Sequence, residues 1–395
     1  MATTSQQSPT PTRMMWDSVR DLLPTLLTPF AGILVALVLI IVILQVEGAD
    51  PGDAWTYLYE GTLAEPAKRA DVAAFWMPLA MASFGLVLTF NAGLWNIGVE
   101  GQMIMGAIGA TYAVRLFAVS DDPPLGLELG HIPMMIVAFV FAALAAGAWA
   151  LIVALLRTKG GVNEIFGGVA LNFIAQTFNL YLISNGGPWQ PVGSRATETA
   201  VFPDVARLTQ YSSYRQLSLT PVYISLGTFL LVALIMYVSR WGLQIRAMGK
   251  SPRSAFVLGV RTERNVLLVM ALCGAMAGVG GAFRVLGPAF SRAKLTANPA
   301  GGIGFLGILV VLLASNSALL TPFVSGVFAV LSKGAEAIEN RFTWEQDIEL
   351  HRSLVRVLQS LLVLLVVLAF GVRNRLFPPR SAQPIVDEAE DTART

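Results

Sequence analysis

The chain has 395 residues, 55% hydrophobic and only 13% charged, with a mean hydropathy of +0.64 and a formal net charge of +2. Soluble domains carry roughly 25% charged residues, so the deficit excludes an ordinary soluble protein. The absence of a contiguous basic stripe with aromatics excludes nucleic-acid binding. Cys273 is the only cysteine and the two histidines, His131 and His351, lie far apart, so no intrachain disulfide and no metal site is expected.

Taken in chain order, residues 1–25 read as a polar N-terminal extension, cytoplasmic because of Arg13 and Arg20. The first apolar run, 26–46, is longer than a signal-peptide core and lacks a small-residue cleavage pattern, so it reads as a retained membrane helix. A spanning helix needs about 20 apolar residues. Further runs of that kind follow at 74–92, 98–119, 132–156, 165–184, 221–239, 265–287, 303–316, 319–338 and 353–372. The fold class is therefore all-α: a polytopic membrane protein with about ten transmembrane helices and both termini cytoplasmic. Lys and Arg mark the cytoplasmic loops, here Arg157 and Lys159, the segment 240–264, and Arg373, Arg375 and Arg380 after the last run. The acidic stretch 47–73 and the long loop 185–220, with Gly186-Gly187-Pro188-Trp189, are expected outside, the latter as interfacial aromatics or a seat for a soluble binding protein. The transmembrane domain covers 26–375, and 376–395 is a cytoplasmic tail.

Between the second and third runs lies Phe90-Asn91-Ala92-Gly93-Leu94-Trp95-Asn96-Ile97-Gly98-Val99-Glu100-Gly101-Gln102. Irregular backbone at membrane depth must be buried in protein or face a water-filled cavity. An ionisable residue there is a functional candidate. Asn91, Asn96, Glu100 and Gln102 are accordingly expected to line or gate a translocation route; the plain alternative is a cytoplasmic turn with Glu100 in water. A second polar group is Asn163, beside Glu164, followed by Asn172, Gln176 and Asn179. The spacing of the last three puts them on one helix face, which meets another helix or lines a polar pathway.

The hydrophilic segment 240–264 contains a short helix signal: Ser251 as N-cap, Pro252 at the first position and Gly259 as the stop. Two turns are unstable alone in water, so this helix needs a surface, with Ala255, Phe256 and Leu258 supplying the contact. Gly249-Lys250-Ser251 is not a phosphate loop, because the position five residues before Gly249 is Gln244. The chain thus shows no ATPase site and no catalytic set of its own. Gly274 to Gly281 is a small-residue stretch suited to close helix packing. Arg284 reads as a snorkelling or pathway residue. Gly287-Pro288 and Pro299-Ala300-Gly301-Gly302 bracket either a broken helix or an ordinary loop.

At these residues the chain resembles the permease subunits of ATP-binding-cassette importers of the branched-chain permease superfamily, most closely the simple-sugar and nucleoside uptake type. The matching pieces are FNAGLWNIGVEGQMIMGA at 90–107, GGVNEIFGGVALNFIA at 160–175, IRAMGKSPRSAFVLGV at 245–260, ALCGAMAGVGGAF at 271–283 and GIGFLGILVVLLASNSAL at 302–319. One departure is Ile165-Phe166-Gly167-Gly168, where such permeases commonly carry a β-branched, hydroxyl-containing run. The resemblance implies a multi-pass protein of the bacterial inner membrane that translocates a nucleoside, or alternatively a simple sugar. It implies a second homologous permease, two cytoplasmic ATPase subunits or domains that bind ATP and magnesium, and an extracytoplasmic solute-binding protein. It makes 251–259 a coupling helix, with Arg246, Gly249, Ser251, Pro252, Ala255, Phe256 and Gly259 as its coupling residues. An ion-coupled secondary transporter is the alternative from another class; Glu100, Glu164 and Glu336 are the carboxylates it would use.

Overall fold

A computed structural model describes residues 50–119, 129–184, 186–210, 218–287 and 293–345, with positions 38, 42, 45, 127 and 368. The expected spans at 26–46 and 353–372, the two terminal segments and His351 lie outside the described residues. Two compact units are defined, Thr56–Ala337 and a second made of Met1–Trp55 with Ile338–Thr395. The described residues of the second are the start of α1, the end of α11 and positions 38, 42, 45, 50 and 368, and the site below belongs wholly to the first.

The described residues form helices α1 (Pro51–Tyr59), α2 (Pro66–Asn91), α3 (Val99–Val114), α4 (His131–Gly160), α5 (Glu164–Ile183) and α6 (Leu219–Tyr237). They continue with α7 (Arg240–Lys250), α8 (Pro252–Val257), α9 (Thr262–Leu286), α10 (Ile303–Leu313) and α11 (Thr321–Glu345). Wide π turns, Glu60–Ala64 and Arg115–Val119, follow α1 and α3. Among the described residues there is no strand, only an isolated bridge between Glu198 and Thr296. Among the described residues six helices (α2 to α6 and α9, with α3 counted through Val119) are long and apolar enough to cross a membrane.

Three expectations change. The stretch 47–73 is not a loop: α1 and the first turns of α2 occupy most of it. Glu65 is extended and Pro66 takes the first helical position, so α2 starts well before its apolar run, its charged first turns having hidden it from a hydropathy reading. Within 240–264 a second helix, α7, precedes the short one; Ser239 caps it by accepting from Gly242 N–H at 3.0 Å, and Ile245 and Met248 turn inward. The run 303–316 is a half-helix of 11 residues, rising about 16 Å, roughly half of a bilayer core. The stretch before it, 293–302, is non-helical, as either a broken helix or an ordinary loop would be.

Helix ends sort onto two faces. Asn91 Nδ2 donates to the Asn316 carbonyl at 2.8 Å, Lys159 pairs with Glu263 at 2.9 Å, and a Cβ on Gly93 would lie 3.2 Å from Gly249 Cα. The ends of α2 and α4, the start of α9 and the 314–316 turn therefore share one face with α7 and α8. On the opposite face, His131 Nε2 meets the Arg207 carbonyl at 2.8 Å, Leu208 N–H donates to Leu286 O at 3.0 Å, and Arg115 lies over the Trp189 ring at 5.6 Å. This is the alternation expected from loop charge. The opposite face carries cations too: Arg115, over Trp189, and Arg207 and Lys294, which are paired with Asp204 and Glu198. Cysteines at Ser194 and Ser254 should label from opposite sides: an impermeant thiol reagent added outside should reach the first and not the second. Labelling of both would break the alternation.

At the centre, α9 packs against α2, α3 and α4. The side chains of Leu79, Met81, Phe84, Leu86 and Leu88 on α2 and Met270 on α9 are fully buried. α6, by contrast, leaves Leu226, Leu230, Leu231 and Leu234 exposed, the pattern of a helix facing lipid, which is as apolar as the leucines themselves.

Candidate functional site

The link between α2 and α3 turns back into the protein. α3 begins at Val99, and Glu100 in its first turn is only 7% exposed. Its two carboxylate oxygens accept from the backbone at the start of α10: Oε1 from Gly302 N–H at 2.7 Å and Oε2 from Gly304 N–H at 2.8 Å. The first N–H groups of any helix lack intrahelical partners and carry partial positive charge. A carboxylate is the side chain that best satisfies them, and here it does so inside a membrane domain.

The non-helical segment 293–302 is held along α5 by the amide face read from the sequence. Gln176 Nε2 donates to Ala297 O at 2.7 Å, and Asn179 Nδ2 to Thr296 O at 3.0 Å. Asn172 faces α3 instead, accepting from Gly101 N–H at 2.8 Å and donating to Ile97 O at 2.9 Å. Arg284 does not snorkel: its Nε donates to Pro299 O at 2.8 Å. From the far side, Thr199 N–H reaches Leu295 O at 3.0 Å, Phe202 N–H reaches Ala293 O at 2.8 Å, and Glu198 pairs with Lys294. The segment is thus tied to membrane helices below and to the 186–210 loop above.

Between α3, α5, this segment and α10 lies a cavity of about 590 Å³, within the range of small-molecule sites. Glu100, Asn172 and Gln176 reach it, together with Asn298, and its apolar walls include Phe173 and Phe305. The remaining pathway candidates lie elsewhere. Asn96 and Gln102 are fully buried and bond each other through both amides, at 2.9 and 3.0 Å, and Asn96 also donates to Cys273 Sγ. Asn91 ties α2 to the 316 turn. Asn163 caps α5 by accepting from Ile165 N–H at 2.8 Å, on the basic face, where Glu164 pairs with Arg157 and accepts from Trp95 N–H. Asn179 is buried behind the segment that it holds. Sequence reasoning missed Phe173, Phe305 and Asn298. Phe173 was within reach, because it stands next to Asn172 and three residues before Gln176, on the same side of α5.

The departure at 165–168 also has a place. A Cβ on Gly168 would lie 2.7 Å from Gly98 N, so the bare backbone lets α5 approach the start of α3 and brings Asn172 to Gly101.

On the basic face, Ser251 Oγ accepts from Ser254 N–H at 3.3 Å, Pro252 opens α8, and Gly259 closes it with φ +85°. Ala255 is 2% exposed and anchors the helix to its own domain; Phe256, Val257 and Leu258 stand outward at 67%, 81% and 81% exposure. Gly249 packs against Asn91 and Gly93, and Arg246 is half-buried on α7.

A helical membrane domain with a solute-sized cavity beside a half-helix, and with an outward apolar helix on its basic face, is built as the membrane part of a transport system. The chain belongs to the family described as the permease component of the branched-chain amino acid transport system, whose model matches residues 69–368. It is 30% identical over 354 residues to the glucose ABC transporter permease protein TsgB13 of Haloferax volcanii, covering 86% of each chain. It is 28% identical to the guanosine ABC transporter permease protein NupP of Bacillus subtilis, over 78% of this chain and 85% of that one. With the nucleoside ABC transporter permease protein NupB of Lactococcus lactis it shares 25% identity, over 80% of this chain and 85% of NupB.

Proposed function

We propose that this chain is the inner-membrane permease subunit of an ATP-driven importer and that it passes a nucleoside, or a related uncharged polar solute, through the cavity at Glu100. The observation that carries this reading is the cavity's charge. Among the described residues its lining holds one ionisable side chain, Glu100, whose oxygens already accept from α10, and no cation; Arg284 lies behind Gly301, outside that lining. A carboxylate or phosphate solute would be desolvated beside the Glu100 carboxylate with no cation among the described lining residues, at a cost of several kcal/mol. An uncharged solute meets amides at Asn172, Gln176 and Asn298 and ring faces at Phe173 and Phe305, a lining suited to a flat base. Relatives that carry guanosine and nucleosides support this choice. The glucose relative supports a second reading, a simple sugar in the same cavity.

The partners belong to the same proposal. A second, similar permease completes the membrane unit, and an extracytoplasmic binding protein delivers the solute. Two cytoplasmic ATPases, which bind ATP and magnesium, seat the exposed end of α8; Arg246, Gly249, Ser251, Pro252, Ala255 and Gly259 position Phe256 for that contact. Residues 1–25 and 376–395 lie on the cytoplasmic side.

The test is uptake of labelled guanosine by the assembled transporter, with competitors. Unlabelled nucleosides should block uptake, whereas guanosine monophosphate and leucine, both carrying anionic groups, should not. Transport of leucine, or uptake that continues without ATP hydrolysis, would overturn the reading.

A further inference from the structure

We infer that Glu100 is a positioning residue of the transport cycle: it fixes the start of α10, and with it one wall of the cavity, and is not a ligand of the solute. This rests on the cavity being the translocation route. Both carboxylate oxygens are engaged, by Gly302 N–H at 2.7 Å and Gly304 N–H at 2.8 Å, which leaves a solute to compete with a built helix terminus. The bond lies where the chain bends: Gly301 and Gly302 both take left-handed φ, +65° and +82°, so the segment enters α10 through a sharp corner. Ala297, Asn298, Gly302 and Phe305 line the cavity and all belong to this segment or to the first turn of α10. A shift of the corner therefore reshapes the cavity directly. The ties from Gln176 and Asn179 are neutral amide bonds to carbonyls, whereas the Glu100 bonds are charge-assisted and compensate the positive end of the half-helix. Arg284 adds a second charge-assisted tie to this corner, from α9 to Pro299 O.

Glutamine does not reproduce it. An amide offers one acceptor oxygen, and its NH₂ would face the second N–H. Aspartate keeps the charge but is one methylene shorter, so it should fall between the two.

The test combines transport kinetics with the reactivity of a cysteine at Ala297, which lines the cavity; the native Cys273 is buried and serves as the silent background. In the assembled transporter, adding Glu100→Gln to Ala297→Cys should raise the labelling rate by an impermeant maleimide about fivefold, as the loosened wall opens. In the Glu100→Gln single variant, maximal uptake should fall about tenfold with KM within about twofold, and Glu100→Asp should be intermediate in both readouts. A rise in KM of about tenfold with maximal uptake and labelling unchanged would make Glu100 a solute ligand and overturn the inference. Parental behaviour of Glu100→Gln in all three readouts would overturn it as well. Labelling needs no knowledge of the solute, so a wrong substrate assignment leaves that arm intact.

Discussion

Phe256→Asp should abolish uptake while the permease inserts and folds at parental levels. The side chain is 67% exposed on a helix anchored inward by Ala255, so the domain's own packing does not depend on it. A partner that covers Phe256, Val257 and Leu258 buries three large apolar side chains, each contributing about 1.5–3 kcal/mol when fully buried. An aspartate in that contact would lose the apolar contribution and add the desolvation of an unpaired charge, several kcal/mol together. Since about 1.4 kcal/mol is tenfold in affinity, docking should weaken by two or more orders of magnitude. The measurement is co-purification of the ATPase with the permease, alongside uptake. Phe256→Leu, which keeps an apolar surface, should retain both. Normal transport by Phe256→Asp would remove α8 from the coupling contact.

Gly106→Leu should have the opposite signature, loss of the folded protein itself. A Cβ on Gly106 would meet the backbone of Gly278, where α3 crosses α9. Backbone cannot rotate aside as a side chain can, so the two helices must separate. Overpacking of an adaptable core costs about 1–3 kcal/mol, and a crossing closed by two glycines should exceed that. The outcome is read as the yield of monodisperse protein in detergent and its melting temperature. Gly227→Ala on α6 is the control: a Cβ there meets nothing within 4 Å, and folding and uptake should stay at parental levels. Parental stability of Gly106→Leu would show that the crossing does not depend on contact between the Gly106 and Gly278 backbones.

Individual residues show where the sequence suffices. The N-cap, proline and glycine of α8 are local signals, because each acts on backbone within a few residues, and Ser251, Pro252 and Gly259 appear in those roles. The face of Asn172, Gln176 and Asn179 follows from helical periodicity, but its use does not. Asn172 turns to α3, while Gln176 and Asn179 hold a segment about 120 residues away in the chain. Likewise Asn96, Glu100 and Gln102 look alike as polar residues in one glycine-rich stretch. Asn96 and Gln102 close on each other in the core, and Glu100 alone reaches the cavity.

By itself the sequence determined the class, because a charge fraction of 13% and repeated apolar runs admit only a membrane domain whose backbone is satisfied within helices. It determined the alternation of faces through the placement of Lys and Arg, and the family through motifs confirmed over residues 69–368. Tertiary structure alone decided that 303–313 is a half-helix, where α2 begins among charged residues, and which polar side chains face the cavity. The physical reason is separation along the chain. Glu100 and Gly302 define each other's roles across about 200 residues, and hydropathy, capping and periodicity report only on neighbours within a few turns.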